Sequence, residues 1–250
     1  MQQILGVIPA RFGASRFPGK PLKEVAGRPL LQWVLEGASQ SQKINKIIVA
    51  TDHSDIVSLV ESLGFEAIMT DSDLPSGSDR VWQATKDRAA DVIVNIQGDE
   101  PLITGGLLDS LVSAFEGEGD NLQMATLGKE FNSQEDLFSE NTAKIILNHK
   151  SEALYFSRMP LPYTRIDAPQ TGPFASVKHI GLYAYRKSFL QKFCQQKPVD
   201  VELSEGLEQL RALYLGAKIK VVMTDQETWG VDTPEDVLRI ENELKRLGRI

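Results

Sequence analysis

The chain has 250 residues, enough for one large α/β domain or two small ones around a substantial core. Apolar residues make up 42% and charged residues 24%, the proportions of a soluble globular enzyme. The formal charge of −7 speaks against a general nucleic-acid binder, which needs cations to displace phosphate counterions, but leaves room for a local basic pocket.

The first half alternates strand and helix patterns. ILGVIPA is a short apolar run suited to a buried strand, and PLLQWVLEGASQS places Leu30, Leu31, Val34 and Leu35 on one helical face. KIIVAT is a second β-branched run, and DHSDIVSLVESLG reads as a helix ending at Gly64. FEAIMT is a third strand, SDRVWQATKDRA a helix, and DVIVNIQ a strong strand. Such alternation implies parallel pairing with helices on both faces.

After about Gly117 the pattern is mixed. NLQMATLGKEF, NTAKIILNHK, ALYFSR and VKHIGLYAYR read as strands, some antiparallel, while SFLQKFCQQ and LSEGLEQLRALYLG read as helices. RIDAPQTGPFAS is rich in turn formers and reads as a mobile loop. The strand KIKVVMT and a closing helix TPEDVLRIENELKRLG follow, with Thr233 as N-cap and Pro234 at N1. The expectation is one domain with an inserted antiparallel portion. Residues 1–117, 118–222 and 223–250 mark its three portions.

The single cysteine, Cys194, cannot form an internal disulfide and reads as a small core residue on a helix, which fits a reducing compartment. MQQILGVIPARF lacks the features of a secretory signal, and no stretch reaches the ~18 apolar residues of a membrane span. A cytoplasmic protein without membrane or nucleic-acid partners is expected.

The richest segment is Pro9-Ala-Arg-Phe-Gly-Ala-Ser-Arg-Phe-Pro-Gly-Lys-Pro-Leu22, directly after the first strand. It carries Arg11, Arg16 and Lys20, with Gly13 and Gly19 permitting unusual backbone angles. A nucleoside triphosphate, with close to four negative charges, needs such a loop, and ligands of parallel sheets bind beyond the strands' carboxyl ends. The spacing is not that of a P-loop: five residues separate Gly13 from Gly19, and Pro21 follows Lys20. A solvated basic surface loop is the plainer alternative.

Gln97-Gly-Asp-Glu-Pro101 ends the DVIVNIQ strand, which puts Asp99 at the sheet edge beside that loop. Asp232, in Trp229-Gly-Val-Asp-Thr-Pro234, precedes a helix. Mg²⁺ takes one or two carboxylates together with phosphate oxygens and water, so Asp99 and Asp232 could hold it against a triphosphate. Each acid also has a plain reading, as a turn residue and as support for a helix cap. No Cys/His cluster has zinc spacing.

With these residues in view, IPARFGASRFPGKPL resembles the opening signature of the sugar-nucleotide nucleotidyltransferases. Together with VATD, SGSDR, VNIQGDEP, ALYFSR, KHIGLYAYR, LEQLRAL and GVDTPEDV it resembles the 3-deoxy-manno-octulosonate cytidylyltransferase (CMP-Kdo synthetase) family over nearly the whole chain. The resemblance implies a nucleotide-diphospho-sugar transferase-like α/β fold, with a mixed, mostly parallel sheet and helices on both faces. The implied enzyme is a homodimer that uses Mg²⁺ to transfer CMP from CTP to an acidic eight-carbon sugar for lipopolysaccharide synthesis. Arg11, Arg16 and Lys20 match the triphosphate-binding cations, and Pro9 and Ala10 lie where the nucleotide approaches. Ser76, Gly77 and Arg80 match the loop that reads cytosine, Gln97 and Asp99 the active-site motif, and Asp99 and Asp232 the metal ligands. Arg158, His179, Tyr183, Glu208 and Gln209 fall where the family contacts the sugar acid.

Without the resemblance those last residues carry less. Arg158 suits a sugar carboxylate or a surface ion pair. His179 stands in a strand pattern where a structural histidine is the default, and Glu208 and Gln209 read as a solvated helix face. The family commonly has Ser-Gly-Thr-Glu-Arg or Ser-Gly-Thr-Asp-Arg at the base loop, and here Ser76-Gly-Ser-Asp-Arg80 keeps a hydroxyl and an acid. Competing readings are a cytidylyltransferase for an 8-amino variant of the octulosonate or for a sialic acid, and a non-catalytic nucleotide-sensing module.

Overall fold

The computed structural model describes residues 2–13, 17–131, 134–163, 165 and 175–250. They form two compact units, Met1–Ser110 with Glu227–Ile250, and Leu111–Gln226.

The first unit is built on β1 (Ile4–Ala10), in which Val7 and Ile8 have no exposed surface. A short hairpin follows, β2 (Glu24–Val25) and β3 (Arg28–Pro29), closed by Ala26 and Gly27, both at positive φ (51° and 74°). Two positive angles at the central positions are what a tight two-residue hairpin turn needs. Next come α1 (Leu30–Ala38), β4 (Lys46–Thr51), α2 (Ser54–Ser62), β5 (Glu66–Met69), α3 (Gly77–Thr85), β6 (Val92–Asn95) and α4 (Gly105–Ser113). α1 buries Leu30, Leu31, Val34 and Leu35, the face its spacing implied. α2 stops before Gly64, which takes a left-handed φ of 82°.

β1 pairs in parallel with β4 on one side and β6 on the other, and β4 with β5. The chain therefore winds outward from β1 through β4 to β5, then returns to the opposite side for β6. That reversal opens a crevice at the carboxyl ends of the strands, where Ala10, Thr51, Met69 and Asn95 end. Gly98 lies at this rim with no room for a side chain: a Cβ there would stand 2.8 Å from the Pro9 carbonyl oxygen.

The second unit holds β7 (Met124–Lys129), α5 (Gln134–Phe138), β8 (Lys144–Leu147), β9 (Ala153–Ser157), β10 (Ser176–Arg186), α6 (Lys187–Gln195), α7 (Asp200–Glu205), α8 (Leu210–Tyr214) and β11 (Ile219–Met223). β7 runs parallel to β11 and antiparallel to β10, and β10, β8 and β9 continue antiparallel. The register of β10 against β7 slips between Ile180 and Tyr183, a β-bulge. The class is the expected one, α/β with parallel strands and an antiparallel portion. After β11 the chain rejoins the first unit through α9 (Pro234–Arg246).

Three elements differ from the sequence reading. LSEGLEQLRALYLG is not one helix. Gly206 takes φ 61°, ending α7, and Glu208 and Gln209 lie in the turn before α8 rather than on a solvated helix face. The hairpin of β2 and β3 was hidden because each strand is two residues long. α4 was missed because it opens on Gly105 and Gly106, which are poor helix formers. The turn-rich stretch from Arg165 to Ser176 lies largely outside the described residues.

The tight rim at Gly98 gives a test. Gly98→Ala forces a methyl group against a strand carbonyl and should destabilise the protein by about 1–3 kcal/mol. Urea unfolding should show an earlier midpoint at unchanged slope. An unshifted midpoint would mean the rim yields.

Candidate functional site

The crevice of the first unit is a cleft of about 370 Å³ lined by Pro9, Ala10, Arg11, Lys20, Ser76, Gly77, Arg80, Gln97, Asp99 and Asp232. Every nucleotide-site residue expected from the sequence is there except Arg16, which lies outside the described residues. Phe17, Pro21, Leu74, Pro75 and Gly98 also line it and were not anticipated.

The loop after β1 is tied down at both ends. The Phe12 N–H donates to Asp52 Oδ1 at 2.9 Å, and the Phe12 ring stacks on His53 with centroids 3.9 Å apart. Gly19, at φ 67°, donates its N–H to the Phe12 carbonyl at 2.9 Å, closing the loop at its base. A single 3-10 turn, Lys20–Leu22, then aims Lys20 into the cleft. Phe17 packs on a cluster of Val25, Leu30, Trp33, Leu102, Val231, Ile240 and Leu244, which anchors the loop on α1 and α9.

Lys20 Nζ donates to Asp99 Oδ2 at 2.6 Å and to Asp232 Oδ1 at 3.2 Å. The two acids are brought together by backbone as well: the Val231 N–H donates to the Asp99 carbonyl at 2.9 Å. Asp236, in the first turn of α9, accepts the N–H groups of Asp232 and Thr233 at 2.9 Å each. Burial acts to raise the Asp236 carboxyl, but these donors outweigh it and hold the group below its ordinary value. Burial, and then the Asp99 charge, push Glu100 up to about 8, so Glu100 is protonated at neutral pH and adds no charge to the cleft. Two carboxylates that share one ammonium are a donor set that also suits a hard divalent cation. Among the described residues no group of three or more His, Cys, Asp or Glu could hold a metal, so an ion here needs further oxygens from a ligand.

The Ser76–Gly77 turn begins α3. Ser76 is committed to capping: its Oγ donates to Asp79 Oδ2 at 2.7 Å and accepts the Asp79 N–H at 3.2 Å. Arg80 is buried and pairs with Asp52 Oδ2 at 3.2 Å and with the Thr70 hydroxyl. Asp52 thus joins the loop after β1 to α3. In the sequence Asp52 appears only as the last residue of the motif VATD, with no role assigned to it.

The second unit has its own pocket, of about 380 Å³, lined by Arg158, His179, Tyr183, Glu208 and Gln209 among others. All five residues expected for the sugar meet there. Arg158 donates to three backbone carbonyls: Nε to Glu205 (2.8 Å), Nη1 to Glu140 (3.0 Å) and Nη2 to Gly206 (3.2 Å). It therefore caps the carboxyl end of α7, and its charge is held by neutral acceptors. His179 contacts Thr126 Oγ1 through Nε2 at 3.0 Å and Gln209 Nε2 through Nδ1 at 3.5 Å, and Tyr183 donates to Gln209 Oε1 at 3.3 Å. Burial pushes His179 down to about 3.

Known proteins resemble this chain over nearly its whole length. The profile of the family described as Cytidylyltransferase matches residues 5–219. A 3-deoxy-manno-octulosonate cytidylyltransferase of Bdellovibrio bacteriovorus is 53% identical, covering 98% of this chain and 99% of its own. One of the same name from Syntrophobacter fumaroxidans is 42% identical over 94% of each chain. Among solved structures, a CMP:2-keto-3-deoxy-manno-octonic acid synthetase complexed with CTP superposes with a TM-score of 0.91 at 36% identity, covering 98% and 99% of the two chains. A 4-diphosphocytidyl-2C-methyl-D-erythritol synthase from Anaerococcus prevotii, at 13% identity and a TM-score of 0.65, shares the fold; it covers 98% of this chain and 99% of its own. No helix among the described residues is long and apolar enough to cross a membrane.

The neutral His179 carries a pH prediction. Between about 3 and 6.5 the folded protein binds fewer protons at this ring than the unfolded chain does. Its contribution is complete above pH 6.5 and is lost as pH falls toward 3. His179→Gln should make the unfolding free energy fall less steeply with acid in that window. Equal slopes for the two proteins would reject a neutral, buried ring.

Proposed function

The chain belongs to the 3-deoxy-manno-octulosonate cytidylyltransferase family, and from that premise we propose how it transfers CMP from CTP to the acidic eight-carbon sugar with release of pyrophosphate. The observation that carries the reading is the convergence of Asp99 and Asp232 on Lys20 in a cleft at the carboxyl rim of parallel strands.

Arg11 and Lys20, with Arg16 from the same loop, meet the triphosphate. Because the Ser76 hydroxyl proton is already given to Asp79, Ser76 can offer the cytosine only an acceptor, and the base is read with backbone groups around Pro75–Gly77, Arg80 holding that wall in place. In the second unit, Arg158 has a further hydrogen on each of Nη1 and Nη2 and takes the sugar carboxylate, while His179, Tyr183, Glu208 and Gln209 hold its hydroxyls. The anomeric oxygen bonds to the α-phosphorus as the bond from that phosphorus to the bridging oxygen breaks. The hydroxyl proton passes to water, and the departing pyrophosphate is matched by the loop cations. No protein nucleophile is required; positioning and charge neutralisation carry the rate. Asp99 and Asp232 would hold Mg²⁺, which when bound neutralises the phosphates and lowers the pKa of the attacking hydroxyl.

We place the enzyme in the cytoplasm, where CTP is available, and assign it a homodimer. The dimer rests on an apolar edge of the second unit, where β9 carries exposed Leu154 and Met159 follows it, at 58% and 62% exposure. Leu154→Glu with Met159→Glu should convert a dimer to a monomer in sedimentation velocity, and an unchanged mass would remove that edge from consideration.

The central test is Asp99→Asn assayed for pyrophosphate release with CTP, Mg²⁺ and the sugar. Loss of one preorganised charge contact should slow turnover by on the order of 10² or more. Near-normal turnover would end the metal assignment.

A further inference from the structure

Thr126 lies outside both groups of site residues. It is fully buried in β7, opposite the β-bulge of β10. Its hydroxyl oxygen is 3.1 Å from the Ile180 carbonyl and 2.8 Å from the Leu182 carbonyl, the first at the start of that bulge and the second within it. A carbonyl can only accept, so the one hydroxyl proton of Thr126 is directed to this pair. The same oxygen stands 3.0 Å from His179 Nε2. With its proton committed, Thr126 can only accept there, and Nε2 must carry the hydrogen.

The consequence runs through the pocket. A ring protonated at Nε2 presents Nδ1 as an acceptor, and Gln209 Nε2 is the group beside it. That fixes the Gln209 amide with its oxygen toward the Tyr183 hydroxyl, as observed at 3.3 Å. Every donor then points the same way: Tyr183 to Gln209, Gln209 to His179, His179 to Thr126, Thr126 to the bulge carbonyls. The second amide hydrogen of Gln209 is left to donate to a ligand oxygen. The burial that keeps His179 neutral is consistent, since an imidazolium would place a second donor at Nδ1 and oppose Gln209.

We infer that Thr126 is a positioning residue for sugar binding, setting the tautomer of His179 and through it the orientation of Gln209. This rests on the reading of the second unit's pocket as the sugar site. Without the Thr126 oxygen the His179 hydrogen loses its acceptor, the ring no longer favours Nε2–H, and the Gln209 amide is free to turn its oxygen inward. A sugar hydroxyl set against a donor then meets an acceptor.

The experiment has a structural and a kinetic arm. Long-range ¹H–¹⁵N correlation spectra of the ligand-free protein should show His179, one of three histidines, with a protonated Nε2 and an unprotonated Nδ1, the signal being assigned by its loss in His179→Gln. Thr126→Val, similar in shape but without the oxygen, should lose that tautomer preference. It should also raise the sugar KM about tenfold, the scale of one lost hydrogen bond, with the CTP KM unchanged. Thr126→Ser should restore both. An Nδ1–H ring in the wild-type protein overturns the inference, and that spectrum does not depend on Thr126→Val folding. An unchanged sugar KM in folded Thr126→Val overturns it too. His179→Ala separates the two ideas. If it raises the sugar KM while Thr126→Val does not, the positioning role fails and the pocket reading stands; if neither does, both fall.

Discussion

The first unit turns on one ammonium group. Lys20 is reached from the loop after β1, Asp99 from the end of β6 and Asp232 from the segment that rejoins the unit before α9, and the three side chains meet at Nζ. Two carboxylates this close would repel each other, more strongly in a partly shielded cleft than in open water. The ammonium makes their proximity tolerable, and the Val231–Asp99 backbone bond and the Asp236 clamp leave them little freedom to part. An anionic ligand changes that balance. Phosphate oxygens compete with the carboxylates for Lys20, and any ligand that draws it away leaves two acids facing each other. On the proposed reading that state would favour a replacement cation, so the pair that holds the two acids together would also prepare the cleft to take an ion along with its nucleotide.

The pocket of the second unit works by a different physics. The cleft relies on charges that can exchange partners, whereas the Thr126–His179–Gln209–Tyr183 chain is neutral and directional. A neutral network suits a sugar, whose hydroxyls donate and accept at fixed places. It holds only while each member keeps its polarity, because in a low-dielectric setting an unmatched donor costs more than a matched one contributes. The β-bulge makes the arrangement possible by leaving two carbonyls for the Thr126 proton, while His179 and Tyr183, four residues apart, share one face of β10.

Where the sequence was legible, the signal was local and periodic. The apolar run of β1, the helical face of α1 and the glycine after α2 need only a few residues of context. The basic loop from Arg11 to Lys20 was legible for a chemical reason, since cations and glycines after a strand have few other uses. Asp99 and Asp232 were each ambiguous, because nothing in one dimension shows that they share Lys20. Asp52, although part of VATD, and Thr126 drew no assigned role for a related reason: an acid after a strand and a threonine within one are commonplace. Their importance arises from Arg80, Phe12 and His179, which only the fold brings near. Glu208 and Gln209 were assigned to a helix because the apolar spacing runs on through Gly206. The break there owes as much to Arg158, which takes the last carbonyls of α7, as to the glycine.

Arg158 joins these themes. A guanidinium paired with a carboxylate would have its charge cancelled and its donors occupied. Here the Glu205 carboxylate is instead taken by the Ser157 hydroxyl and the Arg158 backbone N–H, at 2.7 and 2.9 Å, while the guanidinium rests on carbonyls. Nearby, fully buried Lys144 donates to the carbonyls of Ser139 and of Arg158 itself. Burial, and then the Arg158 charge, lower its pKa, a sign that two cations are held close without a carboxylate hydrogen-bonded to either. In a protein of net charge −7 this is an uncommon place to leave positive potential. An acidic ligand would gain from it twice: it would meet a charge that carbonyl groups have oriented, and it would relieve the repulsion between Arg158 and Lys144, which Glu140 and Glu205 oppose from nearby. On the proposed reading a neutral sugar would gain neither, so a preference for an acid would rest on how the second unit folds around Arg158 as much as on Arg158 itself.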